Sequence, residues 1–480
     1  MIANLIIDGE PQPAASGLTF DCFDPATGKL ASATAEAAPV DAERAALAAS
    51  KAFASWSRTR PTHRRALLWQ AADRLLEARE EIVSAMVLET GAARSWAAFN
   101  CDLGANMLRE AAAMTTQLTG ETMPTDRSGS LSFATREPWG VCFGIAPWNA
   151  PIVLFVRSFA MALACGNTCV LKSSESCPAT HYTIIERVCR DFPRGVVNLV
   201  SGSRAATPAL VETLIRHEAI RHVNFTGSSK IGRVIGRLAG EALKPCVLEL
   251  GGKSPLVVLD DANLDDAVQA TAFSAFMHQG QICMASGRVI VDARIADEFV
   301  DRLAEKASGL AATRGGGNGQ LGGMINASAV QRVQTLMEDA VGKGAIRRAG
   351  GTAEGVFLEP VVLDRVTPGM AIYHEEVFGP VAVVIRTGSD DEAVQVANDT
   401  EYGLSAAVFS KDINRAMAVA RSINSGICHI NGPTIQDEAH VPFGGIKASG
   451  IGRFGGAGGL EAFTYRRWMT IDTERPHYPF

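Results

Sequence analysis

At 480 residues, with 47% apolar and 20% charged content, the chain has the composition of an ordinary soluble globular protein and the length for two or three domains. A formal charge of −6 and a pI near 5.9 provide no basic field, and no stretch interleaves Lys or Arg with aromatics, so nucleic acid and anionic membranes are excluded as expected partners. The opening MIANLIIDGEPQP carries Asp8 and Glu10 where a secretory signal needs an apolar run, and ten scattered cysteines fit the reduced thiols of a cytoplasmic protein rather than a disulfide framework.

From Asp41 to about Leu118, Ala, Leu and Trp recur at three- and four-residue spacing, which predicts two or three amphipathic helices. GETMPTDRSGSLSFATREPWG then breaks the pattern and leads into an alternating strand. From residue 140 strand-like and helical runs alternate: GVCFGIAPW, a helix, TCVLKSS, a helix from about 178, VVNLVSG, a helix near 207, RHVNFTGS and a helix at 230 to 240. This βαβ succession predicts a parallel, doubly wound sheet. The apolar run APIVLFVRSFAMALACG is interrupted by Arg157 and is shorter than the ~20 residues that cross a bilayer, so it reads as a buried helix. After CVLELGGKSPLVVLD the alternation resumes as a second α/β unit to about 450. At the end, Phe463, Tyr465, Arg467 and Met469 alternate along one exposed strand, and an unpaired terminal strand invites a partner.

Three motif-like stretches are decoys. Gly317, Gly319 and Gly322 spell G-x-G-x-x-G but follow no predicted strand, within a patch, TRGGGNGQLGG, that reads as a surface loop. VLELGGKS has Val247 where a phosphate-binding loop needs glycine. His217 and His222 of HEAIRH are five apart, which on a helix puts them on different faces, so no metal site is expected.

Cys283 in HQGQICMASGR is one of ten cysteines, and by itself a buried filler. It gains meaning from its company: FGIAPWNAP (143 to 151), FTGSSKIG (225 to 232), LELGGKSP (248 to 255), GQICMASGR (280 to 288), EEVFGPV (375 to 381) and PFGGIKASGIGR (442 to 453). In this order the six segments resemble the aldehyde dehydrogenase superfamily over nearly the whole chain, and NGPTIQDEAHVPFGG (431 to 445) with the helix around Arg157 is similar to its vanillin, salicylaldehyde and benzaldehyde dehydrogenases. The resemblance implies an α/β fold with a doubly wound Rossmann-type NAD-binding domain (1–120 and 140–250), a second α/β catalytic domain (251–450) and a small β oligomerisation arm (121–139 and 451–480). It further implies a homodimer or homotetramer.

Such an enzyme needs a tetrahedral adduct before hydride can leave, because a bare aldehyde carbon has no electron pair to expel it. By resemblance Cys283 is the nucleophile, forming a thiohemiacetal and then a thioester. The Asn149 amide and the Cys283 N–H hold the oxyanion, and Glu249 is the general base. A helix-capping Asn149 and an ion-paired core Glu249 are the structural alternatives.

For the cofactor, VNFTGSSKIGRVIG reads as strand, small-residue turn and helix, which aims N–H groups at a pyrophosphate. The resemblance adds Ile145, Pro147, Trp148, Gly202, Phe225, Gly227, Ser228, Ile231, Leu250 and Gly251 to the cofactor groove. It puts Lys172 and Glu175 on the adenosine ribose and Glu376 and Phe378 on the nicotinamide ribose. A carboxylate at Glu175 favours NAD, whereas Arg204, where relatives often have glycine, can accommodate NADP. Ser173 replaces a usual proline, a change expected to affect loop stiffness more than contacts.

Arg157, a permanent charge in an apolar helix just over two turns past Asn149, requires either a partner or a wet cavity. It is expected to face the aldehyde tunnel, polarising the aldehyde oxygen or a ring substituent, with a structural salt bridge as the alternative. Ala150, Ile282, Met284 and Phe443 complete a flat apolar slot suited to an aromatic ring. The expected reaction is oxidation of a hydroxylated aromatic aldehyde to its benzoate. The rivals are a succinate-semialdehyde-type or broad-specificity enzyme, in the first of which Arg157 grips a distal carboxylate, and a non-catalytic binding protein.

Overall fold

The computed structural model describes residues 2–313, 321–475 and 478–480. Gly317 and Gly319 of the glycine-rich patch lie outside the described residues.

The helical region contains four helices instead of two or three: Pro39–Trp56, Pro61–Glu77, Arg79–Thr90 and Arg94–Met114. Apolar spacing runs on across their boundaries, so periodicity alone merges them. The breaks come from Pro61, which opens the second helix, and from Gly91, whose left-handed φ of 68° ends the third.

An eight-stranded sheet follows. Its parallel centre runs Cys246–Glu249, Ile220–Thr226, Val141–Ile145, Thr168–Lys172, Val197–Val200, and antiparallel edges are added by Gly450–Ile451 on one side and Leu5–Ile7 and Glu10–Gln12 on the other. Strand order reverses about Val141–Ile145, so a crevice opens beyond its carboxyl end, next to that of Ile220–Thr226. Alternation sorts the side chains. Val141, Phe143 and Ile145 pack with Ala45, Ala49, Leu214 and Leu238 on one face, while Cys142, Leu171 and Leu199 pack with Phe155 and Val156 on the other. All fourteen residues of Pro151–Ala164 are buried, because this helix is covered on one side by the sheet and on the other by Arg94–Met114.

The second unit is a seven-stranded sheet in the order Ile346–Ala349, Val361–Asp364, Val381–Thr387, Ser286–Asp292, Ser254–Val258, Ala407–Phe409, His429–Ile430, parallel throughout except at Ile346–Ala349. Helices Leu264–Phe276 and Ala296–Ser308 cover one face and Asp390–Asn398 and Ile413–Ser422 the other.

The terminal strand Thr464–Asp472 is exposed as expected, but it is not unpaired. It runs antiparallel to Ser130–Pro138 through nine residue pairs, with Glu121–Met123 on the far side. Residues 450–451 lie in the eight-stranded sheet, so the arm's return strand starts at Thr464 and not at 451. His217 closes the helix Thr207–Arg216 while His222 is buried in a strand, and among the described residues no group of His, Cys, Asp or Glu could hold a metal ion. No helix among them is long and apolar enough to cross a membrane.

Candidate active site

Cys283 sits at the junction of the two sheets, just past a turn in which His278, Gln279 and Gly280 take left-handed φ values of 49°, 54° and 63°. At the two non-glycine positions, His278 and Gln279, this conformation is strained and persists only where packing imposes it. A Cβ at Gly280 would lie 2.2 Å from the Gly379 carbonyl oxygen, so only glycine fits. The double glycine of LELGGKS has the same cause from the other side. A Cβ on Gly252 would meet the Cys283 carbonyl oxygen at 2.2 Å, and one on Gly251 would meet Glu376 Oε2 at 2.7 Å.

Asn149 precedes Pro151–Ala164, and it does not cap that helix, whose N-cap is Ala150 without a side-chain bond. Its Nδ2 donates instead to the Gln281 carbonyl at 3.0 Å, tying the helix start to the cysteine loop and leaving one amide hydrogen uncommitted. Among the described residues the Cys283 N–H makes no hydrogen bond. Two donors are therefore open beside the thiol.

Glu249, at the carboxyl end of Cys246–Glu249, is buried, and among the described residues its carboxylate has no ion-pair partner and only the Cys283 thiol as a hydrogen-bonding neighbour. It is thus not an ion-paired core carboxylate. Burial pushes its pKa up to about 7, against the opposing pull of the Arg157 charge and the Cys283 thiol. Cys283 is partly open to solvent, yet its thiol is enclosed enough that burial, and next the Glu249 carboxylate, hold it well above the ordinary thiol range. The resting pair is a protonated thiol beside a carboxyl poised near neutrality, which suits proton transfer from sulfur to oxygen when the sulfur attacks.

The thiol opens onto a cavity of about 530 Å³. Of the residues expected there, Asn149, Ala150, Arg157, Ile282, Met284 and Phe443 all line it. Sequence reasoning missed Trp96, Phe99, Leu103, Phe273, Met277 and Ile435, which supply most of the flat apolar wall, and Asp437. Arg157 resolves both of its expected alternatives at once: it faces the cavity, and its Nη2 is ion-paired with the largely enclosed Asp437 while its guanidinium lies 4.2 Å over the Phe443 ring. The signal for Asp437 was available, since a buried arginine demands a countercharge and QDEAH offers one shortly before Phe443.

Beyond the carboxyl ends of the first sheet lie the expected cofactor residues. Ile145 and Phe225 end neighbouring strands, with Pro147 and Trp148 in the following loop and Gly202 after Val197–Val200. Phe225 folds over Gly227, where a Cβ would lie 2.5 Å from its ring, and Ser228 caps Ser229–Glu241 by accepting from the Ile231 N–H, leaving Ile231 itself exposed. Leu250 fills the space that Gly232 leaves, and the Gly251 carbonyl accepts from Ser449 Oγ at 2.6 Å. Glu376 Oε1 accepts the Gly252 N–H at 3.0 Å, and Phe378, at a left-handed φ of 45°, packs edge-on to Trp148.

Lys172 Nζ donates to Glu175 Oε2 at 3.0 Å. Burial raises the Glu175 carboxyl, but the Lys172 ammonium and, more weakly, Arg204 outweigh it and keep it below its usual range. Ser173 does change contacts: its N–H donates to the Val200 carbonyl and its Oγ to Ser201 Oγ, the first of which a proline could not do. The groove fits a dinucleotide. It offers an ionised carboxylate at one end, a capped helix start in the middle with the Ser229 and Lys230 N–H groups unbonded among the described residues, and the Glu376 carboxylate over Gly251 and Gly252 at the end nearest Cys283.

Residues 12–469 match the aldehyde dehydrogenase family. The chain is 52% identical over 478 residues to a vanillin dehydrogenase from Pseudomonas sp. strain HR199, covering 99% of each chain. It is 44% identical over 482 residues to a salicylaldehyde dehydrogenase from Pseudomonas sp. strain C18, covering 100% of this chain and 99% of the other. Among solved structures it is similar to a salicylaldehyde dehydrogenase from Pseudomonas putida G7 complexed with salicylaldehyde, at a TM-score of 0.98 and 43% identity over the full length of both. The chain therefore belongs to the aldehyde dehydrogenase family, whose members are NAD(P)-dependent oxidoreductases acting on aldehydes.

Proposed function

We propose that this protein oxidises a hydroxylated aromatic aldehyde, of the vanillin or salicylaldehyde type, to its carboxylic acid through a thioester on Cys283. The observation that carries this reading is the opening of the Cys283 thiol, with two uncommitted N–H donors beside it, onto a cavity walled by Trp96, Phe99, Phe273 and Phe443. Cys283 Sγ bonds to the aldehyde carbon while its proton passes to Glu249. The carbonyl oxygen, now anionic, takes the free Asn149 amide hydrogen and the Cys283 N–H. A nicotinamide dinucleotide, which Lys172, Glu175, Glu376 and Phe378 would hold, would supply the acceptor for the hydride whose departure converts the adduct to a thioester. Glu249 gives the thiol's proton up to solvent and then removes one from water; the water oxygen bonds to the acyl carbon, the carbon–sulfur bond breaks to release the acid, and the proton on Glu249 returns to the leaving sulfur to regenerate the thiol.

Lys172 and Glu175 would hold the adenosine ribose, and Glu376 and Phe378 the nicotinamide ribose. The ionised Glu175 supports NAD over NADP, since it accepts from a 2′-hydroxyl and repels a 2′-phosphate, while Arg204 softens that preference. Residues 1–120 with 140–250 would serve the cofactor, and 251–450 the chemistry. The exposed Leu131 on the central strand of the arm, with Trp468 and Ile471 on its edge strand, supports a homodimer or homotetramer. Ten unpaired cysteines suit the reducing cytoplasm.

Asp437 neutralises Arg157 and so removes the charge that a distal-carboxylate substrate would need. A panel of vanillin, salicylaldehyde, benzaldehyde, hexanal and succinic semialdehyde, each with NAD and NADP, tests the proposal. The expected order of kcat/KM has the aromatic aldehydes first and NAD ahead of NADP. A higher value for hexanal or succinic semialdehyde would overturn the substrate class.

A further inference from the structure

The Asn149 side chain can aim an amide hydrogen at the oxyanion only if its main chain is fixed, and that main chain is held from a distant part of the sequence. Trp96, in the first turn of Arg94–Met114, donates its indole Nε1–H to the Asn149 carbonyl oxygen at 3.0 Å, within the protein interior. The indole is itself clamped. Phe99 stacks on one side at 5.6 Å between centroids and 25° between planes, and His278, in the strained turn before Cys283, stacks at 5.3 Å and 16°. Burial pushes His278 down to about 3, with the Asn149 backbone opposing it more weakly, so its ring is uncharged. The left-handed backbone at His278 thus presents a flat neutral ring to the indole, while its carbonyl oxygen accepts the Gln281 N–H at 3.0 Å.

We infer that Trp96 is a positioning residue for the oxyanion donor: by fixing the Asn149 peptide from the helix side, while Gln281 fixes its amide from the cysteine side, it holds the free Nδ2–H on the reacting oxygen. Trp96 also forms a wall of the cavity, so an aromatic ring bound there packs on the same indole that sets the donor. Binding of the ring and alignment of the oxyanion donor are then carried by one side chain. This inference rests on the proposed role of Asn149.

Trp96→Phe keeps an aromatic ring against Phe99 and His278 and removes the N–H together with part of the indole's ring area. With benzaldehyde it should lower kcat about tenfold, the size of one lost buried hydrogen bond, and change KM less than about twofold. In an Asn149→Ala background, which keeps the carbonyl but has no donor to aim, the same substitution should cost less than about twofold. A tenfold loss that persists in the Asn149→Ala background would overturn the inference, because a merely structural defect carries through unchanged. An unaltered kcat in Trp96→Phe would do so as well. If instead Asn149→Ala retained wild-type kcat, the oxyanion role itself would fail, and the two outcomes are thereby separated. Should Trp96→Phe not fold, as judged by its thermal midpoint, His278→Ala leaves the indole N–H but frees one ring face. It should lower kcat with KM unchanged, and an unaltered kcat in that variant counts against the inference.

Discussion

Replacing Glu249 by glutamine removes a carboxyl that the fold accommodates poorly once it is charged. Its pKa in the folded chain is about 7 against an ordinary 4.5, so between those values the folded protein retains a proton that the unfolded chain releases. The stability associated with that proton is fully present below about pH 4.5 and is lost as pH rises through 7. At 1.36 kcal/mol per pKa unit, the burden on the wild type is below about 1 kcal/mol at pH 5 and about 3 kcal/mol at pH 8. The conversion is allowable because Glu249 is 1% exposed and little screened. Glu249→Gln should therefore raise the thermal midpoint of the cofactor-free protein by a few degrees at pH 8, change it little at pH 5, and abolish steady-state turnover because hydrolysis of the thioester stalls. Paired melts at the two pH values, with acid formation followed in parallel, read both effects. Equal melting at pH 8, or a less stable glutamine variant there, would refute the idea that burial is what raises this carboxyl.

As the proposed base, the same carboxyl should set the pH dependence of turnover: where thioester hydrolysis limits, kcat should rise about tenfold from pH 6 to pH 8 with a midpoint near 7, tracking its ionisation. Asp437 adds a negative charge that raises the Glu249 pKa, so Asp437→Asn should move that midpoint to lower pH, a shift visible in the kcat profile. Asp437→Ala leaves Arg157 buried without its countercharge and should destabilise the fold by about 3–5 kcal/mol, whereas Arg157→Met combined with Asp437→Leu should melt close to wild type. At the ribose, Glu175→Gln should raise the kcat/KM for NADP relative to NAD, and Arg204→Ala should lower that ratio, as measured with both cofactors at fixed aldehyde.

The order of motifs along the chain was sufficient to indicate the family, the βαβ succession and the residues that meet at the site, because close backbone approaches leave local marks. Gly251, Gly252 and Gly280 are glycines since a Cβ at each would strike Glu376, Cys283 or Gly379, and that constraint is written into single positions. Local signals misled where two elements share one pattern: periodicity ran through Pro61 and Gly91 and merged four helices, and a terminal strand with no visible mate turned out to pair with residues more than 300 positions earlier. The partners of buried polar groups were also hidden. Asp437 neutralises Arg157 across 280 residues, and Trp96 reaches Asn149 across 53. What the amino-acid order determined by itself was which residues can perform the chemistry, since side-chain type and backbone freedom are properties of each position. Which charge is cancelled, which carboxyl is held near neutrality and which ring walls the cavity were decided only on folding, because burial and distance are properties of pairs that the linear chain leaves open.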